Sequence, residues 1–422
     1  DIQGDYSNIY GNWLSGVKFI DEIRLGNQSN LDDDQKNNKA RNTYFFLPFI
    51  IGIIGLLYSY NRDLKTFWTL LLLFLFTGLA LKFYLNERPF EPRERDYALV
   101  GSFYVFSIWI GFGMSSILKF FSSLKNKYLN FGLFFLCLIS VPGLMAFGNW
   151  DDHDRSDRYT AQSIARSYLQ SIQKDKDAMI FTIGDNDTFA LWYAQEIEEF
   201  RTDVRTINTS LLATDWYIDQ MKRRAYISSP IPSQMEHKNY AYGVRDYIRY
   251  ENLLDTVRWD INNFMDWVSS DHPRTKYRNL ITQSGGDVSN YPINSLETVF
   301  YPTNKIRVPV NIDNVIKSGI VNERDIDLIV PYIDIDLPES VLTKNQIMML
   351  DILANNNWER PIYFTGGSYA DSEYIWMKEY LQLDGLVYKL VPIRTEMDKS
   401  NPYLMGRVDS ELMFEIVNKW SW

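Results

Sequence analysis

Four apolar stretches between Tyr44 and Gly148 limit what this chain can fold into: Tyr44 to Tyr60, Phe67 to Leu85, Ala98 to Leu118 and Phe131 to Gly148. A bilayer crossing takes about 20 largely apolar residues, and core helices of globular proteins seldom run this long without a polar face. The stretches therefore predict about four transmembrane helices over residues 44–60, 67–85, 98–118 and 131–148, preceded by an extramembrane segment over residues 1–43. Lys82 falls near a span end, where it can snorkel to the interface, and Tyr44, Tyr58, Tyr60, Trp68 and Tyr84 fall where aromatic belts form. Pro48 suits a helix start, whereas Pro142, inside the fourth stretch, predicts a kink.

Between the second and third stretches lies the densest charge cluster in the chain, Asn86 to Tyr97. It carries Arg88, Arg93 and Arg95 among Glu87, Glu91, Glu94 and Asp96. Guanidiniums match phosphate oxygens in shape and keep their charge, so this loop is a candidate lipid-phosphate site. The same arginines can equally pair with the four neighbouring acids or with ordinary anionic headgroups.

The connections Asn61 to Thr66 and Lys119 to Asn130 hold Arg62, Lys65, Lys119, Lys125 and Lys127 against Asp63 alone. By the positive-inside rule they face the cytoplasm, which places the arginine loop and everything after Gly148 outside it. A net charge of −10 argues against nucleic acid as a partner. The one cysteine, Cys137, excludes an intrachain disulfide framework and a multi-cysteine zinc site. The chain opens on Asp1 with no signal-peptide pattern, which leads us to expect a fragment or processed product.

From residue 149 to 422 the pattern becomes that of an extramembrane α/β domain with a parallel, Rossmann-like sheet. Helical spacing over Asp157 to Gln173, a strand over Ala178 to Ile183, a helix over Thr188 to Phe200, a strand over Val204 to Thr209 and a helix over Asp215 to Ala225 predict a parallel βαβ unit. Ser228 to Pro338 reads as an irregular insertion with helix near Asp246 to Val268. Lys344 to Asn356 is then helical, Pro361 to Thr365 a strand, Ser372 to Leu381 a helix and Leu386 to Val391 a strand.

Several short motifs in fixed order carry a family resemblance. They are Asn37 to Phe49, Glu91-Pro92-Arg93-Glu94-Arg95-Asp96-Tyr97, His153-Asp154-Arg155, Gly184-Asp185-Asn186-Asp187-Thr188-Phe189, Leu191-Trp192-Tyr193-Ala194-Gln195-Glu196, Arg201-Thr202-Asp203-Val204-Arg205 and Asp215-Trp216-Tyr217-Ile218. With them the chain resembles the C-terminal part of bacterial polytopic membrane proteins of domain-of-unknown-function family 2723. These are similar to the transmembrane protein O-mannosyltransferases. The resemblance implies a GT-C-type glycosyltransferase of the bacterial inner membrane, with a polyprenyl-phosphate sugar donor, a protein or glycan acceptor and the C-terminal domain extracytoplasmic. Such enzymes carry an acidic motif in their first extracytoplasmic loop. Its Asp-Cys-Gly-Glu-Phe-type counterpart is absent between Asp1 and Trp422, so this segment alone is expected to be inactive. A non-catalytic membrane-anchored binding or assembly module is the alternative.

Two polar sites follow from the residues themselves. Gly184 to Thr188 sits where a strand's carboxyl end meets a helix, the usual ligand crevice of open α/β sheets. There Asp185, Asn186 and Asp187 offer oxygens to sugar hydroxyls or to a divalent cation, the one cofactor the sequence leaves open. Alternatively, Asp187 simply caps the helix starting at Thr188. After the fourth stretch, Asp151, Asp152, His153 and Asp154 could ligate a metal or receive a proton, or form a solvated boundary at the membrane exit, the commoner role of such a cluster; no set of metal ligands is assigned.

Overall fold

The computed structural model describes residues 13–38, 41–86, 95–122, 127–254, 256–366, 374–396 and 405–420. They form two compact units divided between Asp157 and Arg158.

In the first unit the apolar stretches become helices α1 (Leu47–Arg62), α2 (Leu64–Leu85), α3 (Asp96–Ser122) and α4 (Tyr128–Asp151). Three of these, α2, α3 and α4, with 22, 27 and 24 residues, are long and apolar enough to cross a membrane. The first expected span is shorter than the rest. Helix α1 has 16 residues, about 24 Å at 1.5 Å per residue, against a hydrocarbon core of about 30 Å. The loop expected between the first two stretches narrows to Asp63, whose carboxylate accepts the Lys65 and Thr66 amides at 3.0 and 3.4 Å and so caps α2. Pro142 lies in a π-helical turn, Ile139–Gly143; a widened turn accommodates its ring and missing N–H.

Helix α1 packs on α3 through glycines. A Cβ on Gly55 would stand 1.7 Å from the Trp109 carbonyl oxygen, and one on Gly113 would stand 2.0 Å from that of Ile51. The two backbones meet at a spacing that only glycine permits, as small residues allow between helices in lipid. Gly52 likewise receives the Phe106 ring, and Trp109 is sealed beneath Leu70 and Val105.

The second unit is mixed α/β. Its main sheet contains β1 (Met179–Thr182), β2 (Arg205–Asn208), β9 (Ile362–Thr365), β10 (Leu381–Asp384), β11 (Val387–Leu390) and β12 (Arg407–Val408). The strand order is β12-β10-β11-β9-β1-β2. As expected, β1, helix α6 (Gly184–Glu196) and β2 make a parallel βαβ unit, with Met179 opposite Arg205 and Thr182 opposite Asn208; β9 pairs parallel on the other side of β1. Helix α5 (Thr160–Gln170) packs against α6.

The sheet is not the wholly parallel, Rossmann-like one expected, since β11 runs antiparallel to both β9 and β10. The reason is local. Strands β10 and β11 are joined by a two-residue turn in which Gly385 has φ 60°, and so short a connection can only join antiparallel neighbours. Strand β10 occupies the end of the helix expected over Ser372 to Leu381; Ile375–Tyr380 is a 3₁₀ segment and Ser372 and Glu373 lie outside the described residues. On this hairpin Lys389 and Asp384, each almost wholly buried, pair at 2.8 Å.

The expected irregular insertion instead builds two three-stranded sheets. One has order β5-β3-β8 from β3 (Tyr247–Tyr250), β5 (Phe300–Tyr301) and β8 (Val341–Thr343). The other has order β4-β6-β7 from β4 (Trp259–Asp260), β6 (Lys305–Pro309) and β7 (Tyr332–Asp336). The helix expected over Asp246 to Val268 is therefore two strands followed by a shorter helix, Ile261–Ser269. In β3 only Ile248 is fully buried while Tyr247 and Arg249 are exposed, the alternation of a strand.

The glycine contact gives a direct test. Gly55→Ala places a methyl group against a backbone oxygen that no rotamer change can move, costing about 1–3 kcal/mol or more. At Gly111 an added Cβ meets nothing within 4 Å. Thermal unfolding in detergent is expected to show a midpoint lowered by several degrees for Gly55→Ala and essentially unchanged for Gly111→Ala.

Candidate functional site

The carboxyl ends of β1, β2 and β9 lie side by side because the three strands are parallel and in register. They bring Thr182, Asn208 and Thr365 together, all buried. Gly184, at φ 71°, turns the chain from β1 into α6 through a left-handed conformation that favours glycine. The Thr188 hydroxyl donates back to the Gly184 carbonyl at 2.7 Å and accepts Asn208 Nδ2 at 2.8 Å. Its one proton is thus used, so the Thr182 hydroxyl, 2.6 Å away, is the donor of that pair. The Asn208 side-chain oxygen accepts the Leu211 amide at 2.8 Å, and the Thr209 hydroxyl donates to the Thr182 carbonyl at 3.0 Å. This network fixes the strand ends and the start of α6.

Because α6 begins at Gly184, the Gly184-Asp185-Asn186-Asp187 run is its first turn and not a loop before it. Ile183 occupies the cap position and Asp187 lies inside the helix, so the capping alternative for Asp187 does not hold. Asp185 and Asn186 are exposed; Asp187 is half-buried. Burial pushes the Asp187 carboxyl above the usual carboxylate range, while the Thr365 hydroxyl and the Ile183 N–H pull the other way. The Tyr168 hydroxyl, on α5, is pushed up to about 12 by its own burial and by the Asp187 carboxylate. Tyr374 supports the same corner by donating to the Thr365 carbonyl at 2.9 Å. A carboxyl raised in this way at a strand-end crevice is chemically equipped to accept or donate a proton. Among the described residues no group of three or more His, Cys, Asp or Glu is placed to hold a metal ion.

The other sequence-predicted residues are distributed differently. Arg88 and Arg93 lie outside the described residues; Arg95 is exposed, directly before the 3₁₀ turn Asp96–Leu99 that opens α3. His153 and Asp154 belong to the first unit, while Asp185, Asn186 and Asp187 belong to the second. The helical run of α4 continues beyond Asp151 to His153, whose Nδ1 lies 2.9 Å from the Asn149 carbonyl oxygen. Asp154 accepts the Ser156 amide and hydroxyl at 2.9 and 2.6 Å, a local turn.

Two arginines of one motif have roles that sequence reasoning missed. Arg201 donates to the Leu169, Ile172 and Gln173 carbonyls at 2.6, 2.9 and 2.8 Å while its other edge grips Asp203. It thereby closes the end of α5. Arg205 donates to the Gln220, Met221 and Arg223 carbonyls at 3.1, 2.9 and 2.9 Å, closing α7 (Asp215–Met221). Gln195 binds the Arg201 and Val204 carbonyls and the Thr206 hydroxyl. Free helix carbonyls attract such donors; the sequence signal was two arginines four residues apart on either side of an acid, the second of them opening a strand.

Three helices long and apolar enough to cross a membrane, followed by a mixed α/β unit, fit a membrane protein with a large second domain. The chain belongs to the family of TMEM260-associated domain 2, whose sequence profile matches residues 161–412. No curated protein and no solved structure matches it.

The Asp187 environment predicts a pH-dependent stability effect. A carboxyl whose pKa is raised by folding costs stability above that pKa, and the cost disappears once it is protonated. Asp187→Asn is therefore expected to raise the melting midpoint near neutral pH by about 1–3 °C, kept small by solvent on the exposed side. Scans repeated at falling pH should show the difference close as the carboxyl protonates.

Proposed function

We propose that this chain is part of a polytopic membrane glycosyltransferase of the protein O-mannosyltransferase type, using a polyprenyl-phosphate-linked sugar donor. The observation that carries this reading is the family match, since the matched domain is named for TMEM260, to which O-mannosyltransferase activity is ascribed. Helices α2, α3 and α4 supply the membrane setting that a lipid-linked donor requires. The resemblance of the ordered motifs to those of domain-of-unknown-function family 2723 supports the same class.

On this reading Arg88, Arg93 and Arg95 hold the donor phosphate at the membrane surface and balance charge as the lipid phosphate departs, an electrostatic role that needs no nucleophile. The basic connections at Arg62, Lys65 and Lys119 face the cytoplasm, and α1 joins the other three helices as a fourth, shorter membrane segment. The α/β domain then lies outside the cytoplasm of a bacterial inner membrane and engages the protein or glycan acceptor. Its strand-end crevice at Asp185, Asn186 and Asp187 meets sugar hydroxyls, with a divalent cation as the only cofactor those side chains invite.

The test is donor binding by the complete protein in nanodiscs. An Arg93→Ala/Arg95→Ala double variant is expected to weaken binding of a polyprenyl-phosphate hexose by about tenfold or more, as loss of charge-assisted hydrogen bonds should. Unchanged binding would remove the arginine loop from the mechanism.

A further inference from the structure

Away from the strand-end crevice, a pocket of about 290 Å³ opens along the outer side of β2, between α6 and α7. Its walls include Trp192 from α6, Trp216 from α7 and Tyr226. Trp216 is 56% and Tyr226 54% exposed, so two large aromatic faces are left to solvent beside a cavity. Glu196 and Gln220, both exposed, stand among the lining residues, and the Tyr226 hydroxyl donates to Glu196.

Strand β2 is the edge of its sheet. Its odd-numbered residues turn their amides toward β1, with Arg205 bonded to Ala178 at 2.8 Å and Thr209 to Thr182 at 2.9 Å. The even-numbered residues therefore face outward. At one end the Val204 carbonyl is taken by Gln195 at 2.8 Å; at the other the Asn208 amide is taken by the Tyr217 hydroxyl at 2.9 Å. Between them Thr206, only 5% exposed, lines the pocket. Among the described residues no protein group hydrogen-bonds its outward N–H or C=O. Buried main-chain groups are nearly always paired, so this donor and acceptor want a partner from the pocket.

We propose that this pocket binds a single hexopyranose. A sugar ring offers an apolar C–H face to an indole and hydroxyls that both donate and accept, which suits a lone N–H and C=O flanked by a carboxylate and an amide. An added peptide strand does not suit it, because Gln195 and Tyr217 block the edge on either side and leave one peptide unit. The volume also matches one ring and not a chain of them. The proposal rests on the transferase reading only in taking the sugar to be part of an acceptor or product.

Saturation-transfer NMR on the detergent-solubilised chain with free mannose, glucose, galactose and N-acetylglucosamine tests this without any lipid donor. Absent transfer and absent binding thus remain separate results. At least one of these sugars is expected to bind with a dissociation constant on the order of 1 mM, and Trp216→Ala to weaken it by about tenfold. Trp216→Phe, which keeps an aromatic face, should lose less, and Glu196→Gln, which removes the carboxylate that the Tyr226 hydroxyl meets, should also weaken binding. Tyr242→Ala, at a side chain 93% exposed and outside the pocket, should bind as the unaltered chain does. No saturable signal from any of the four sugars, or equal binding by Trp216→Ala and the unaltered protein, would overturn the proposal.

Discussion

Parallel pairing of β1 with β2 on one side and β9 on the other is the constraint from which the α/β unit's chemistry follows. Parallel strands in register end together, so three carboxyl ends, with their threonines and asparagine, arrive at one edge. The chain must then leave β1 by a sharp turn. Gly184 makes that turn, and the first turn of α6 carries Asp187 into a half-buried position between Tyr168 and Thr365. Burial raises the carboxyl, so the site holds a group that costs stability where it stands. Thr182, Thr188 and Asn208 tie this corner together through their side chains, while Arg201, Arg205 and Gln195 bind the loose ends of helices and strands at the opposite end of β2. A sheet edge and a helix start thus become a fixed polar corner.

Much of this was legible in the sequence. Met179–Thr182 and Arg205–Asn208 are short strands flanked by helical spacing, and their βαβ order could be read directly. The antiparallel half could not. Ile375 to Leu381 has helical spacing, yet its end enters the sheet because the Gly385 turn lets Leu381–Asp384 fold back on Val387–Leu390. The stretch from Ser228 to Pro338 was opaque for a related reason: strands of two to five residues, such as Phe300–Tyr301, are too short to show periodicity and are stabilised by partners distant in sequence. The capping alternative for Asp187 failed for a local reason, since placing the helix start at Thr188 instead of Gly184 turns an interior residue into a cap.

The membrane unit shows the reverse pattern. Its helices were apparent from hydropathy alone, whereas the contact that joins α1 to α3 depends on glycines whose importance appears only when the helices are side by side. At Gly55 and Gly113 the two backbones approach too closely for any larger residue. The arginine cluster before α3 sits, in sequence, at the junction of charged and apolar residues, which is why it is the proposed lipid-phosphate contact. The family match covers residues 161–412 of the α/β unit, and the three helices long and apolar enough to cross a membrane precede it in the sequence.

The most direct measurement is sugar transfer itself. The complete protein in nanodiscs is supplied with a radiolabelled polyprenyl-phosphate hexose and extracytoplasmic protein acceptors. The account predicts labelled acceptor together with released polyprenyl phosphate. Intact donor and unlabelled acceptor across the hexoses tried, with the protein shown to be folded, would contradict it and favour a non-catalytic membrane module.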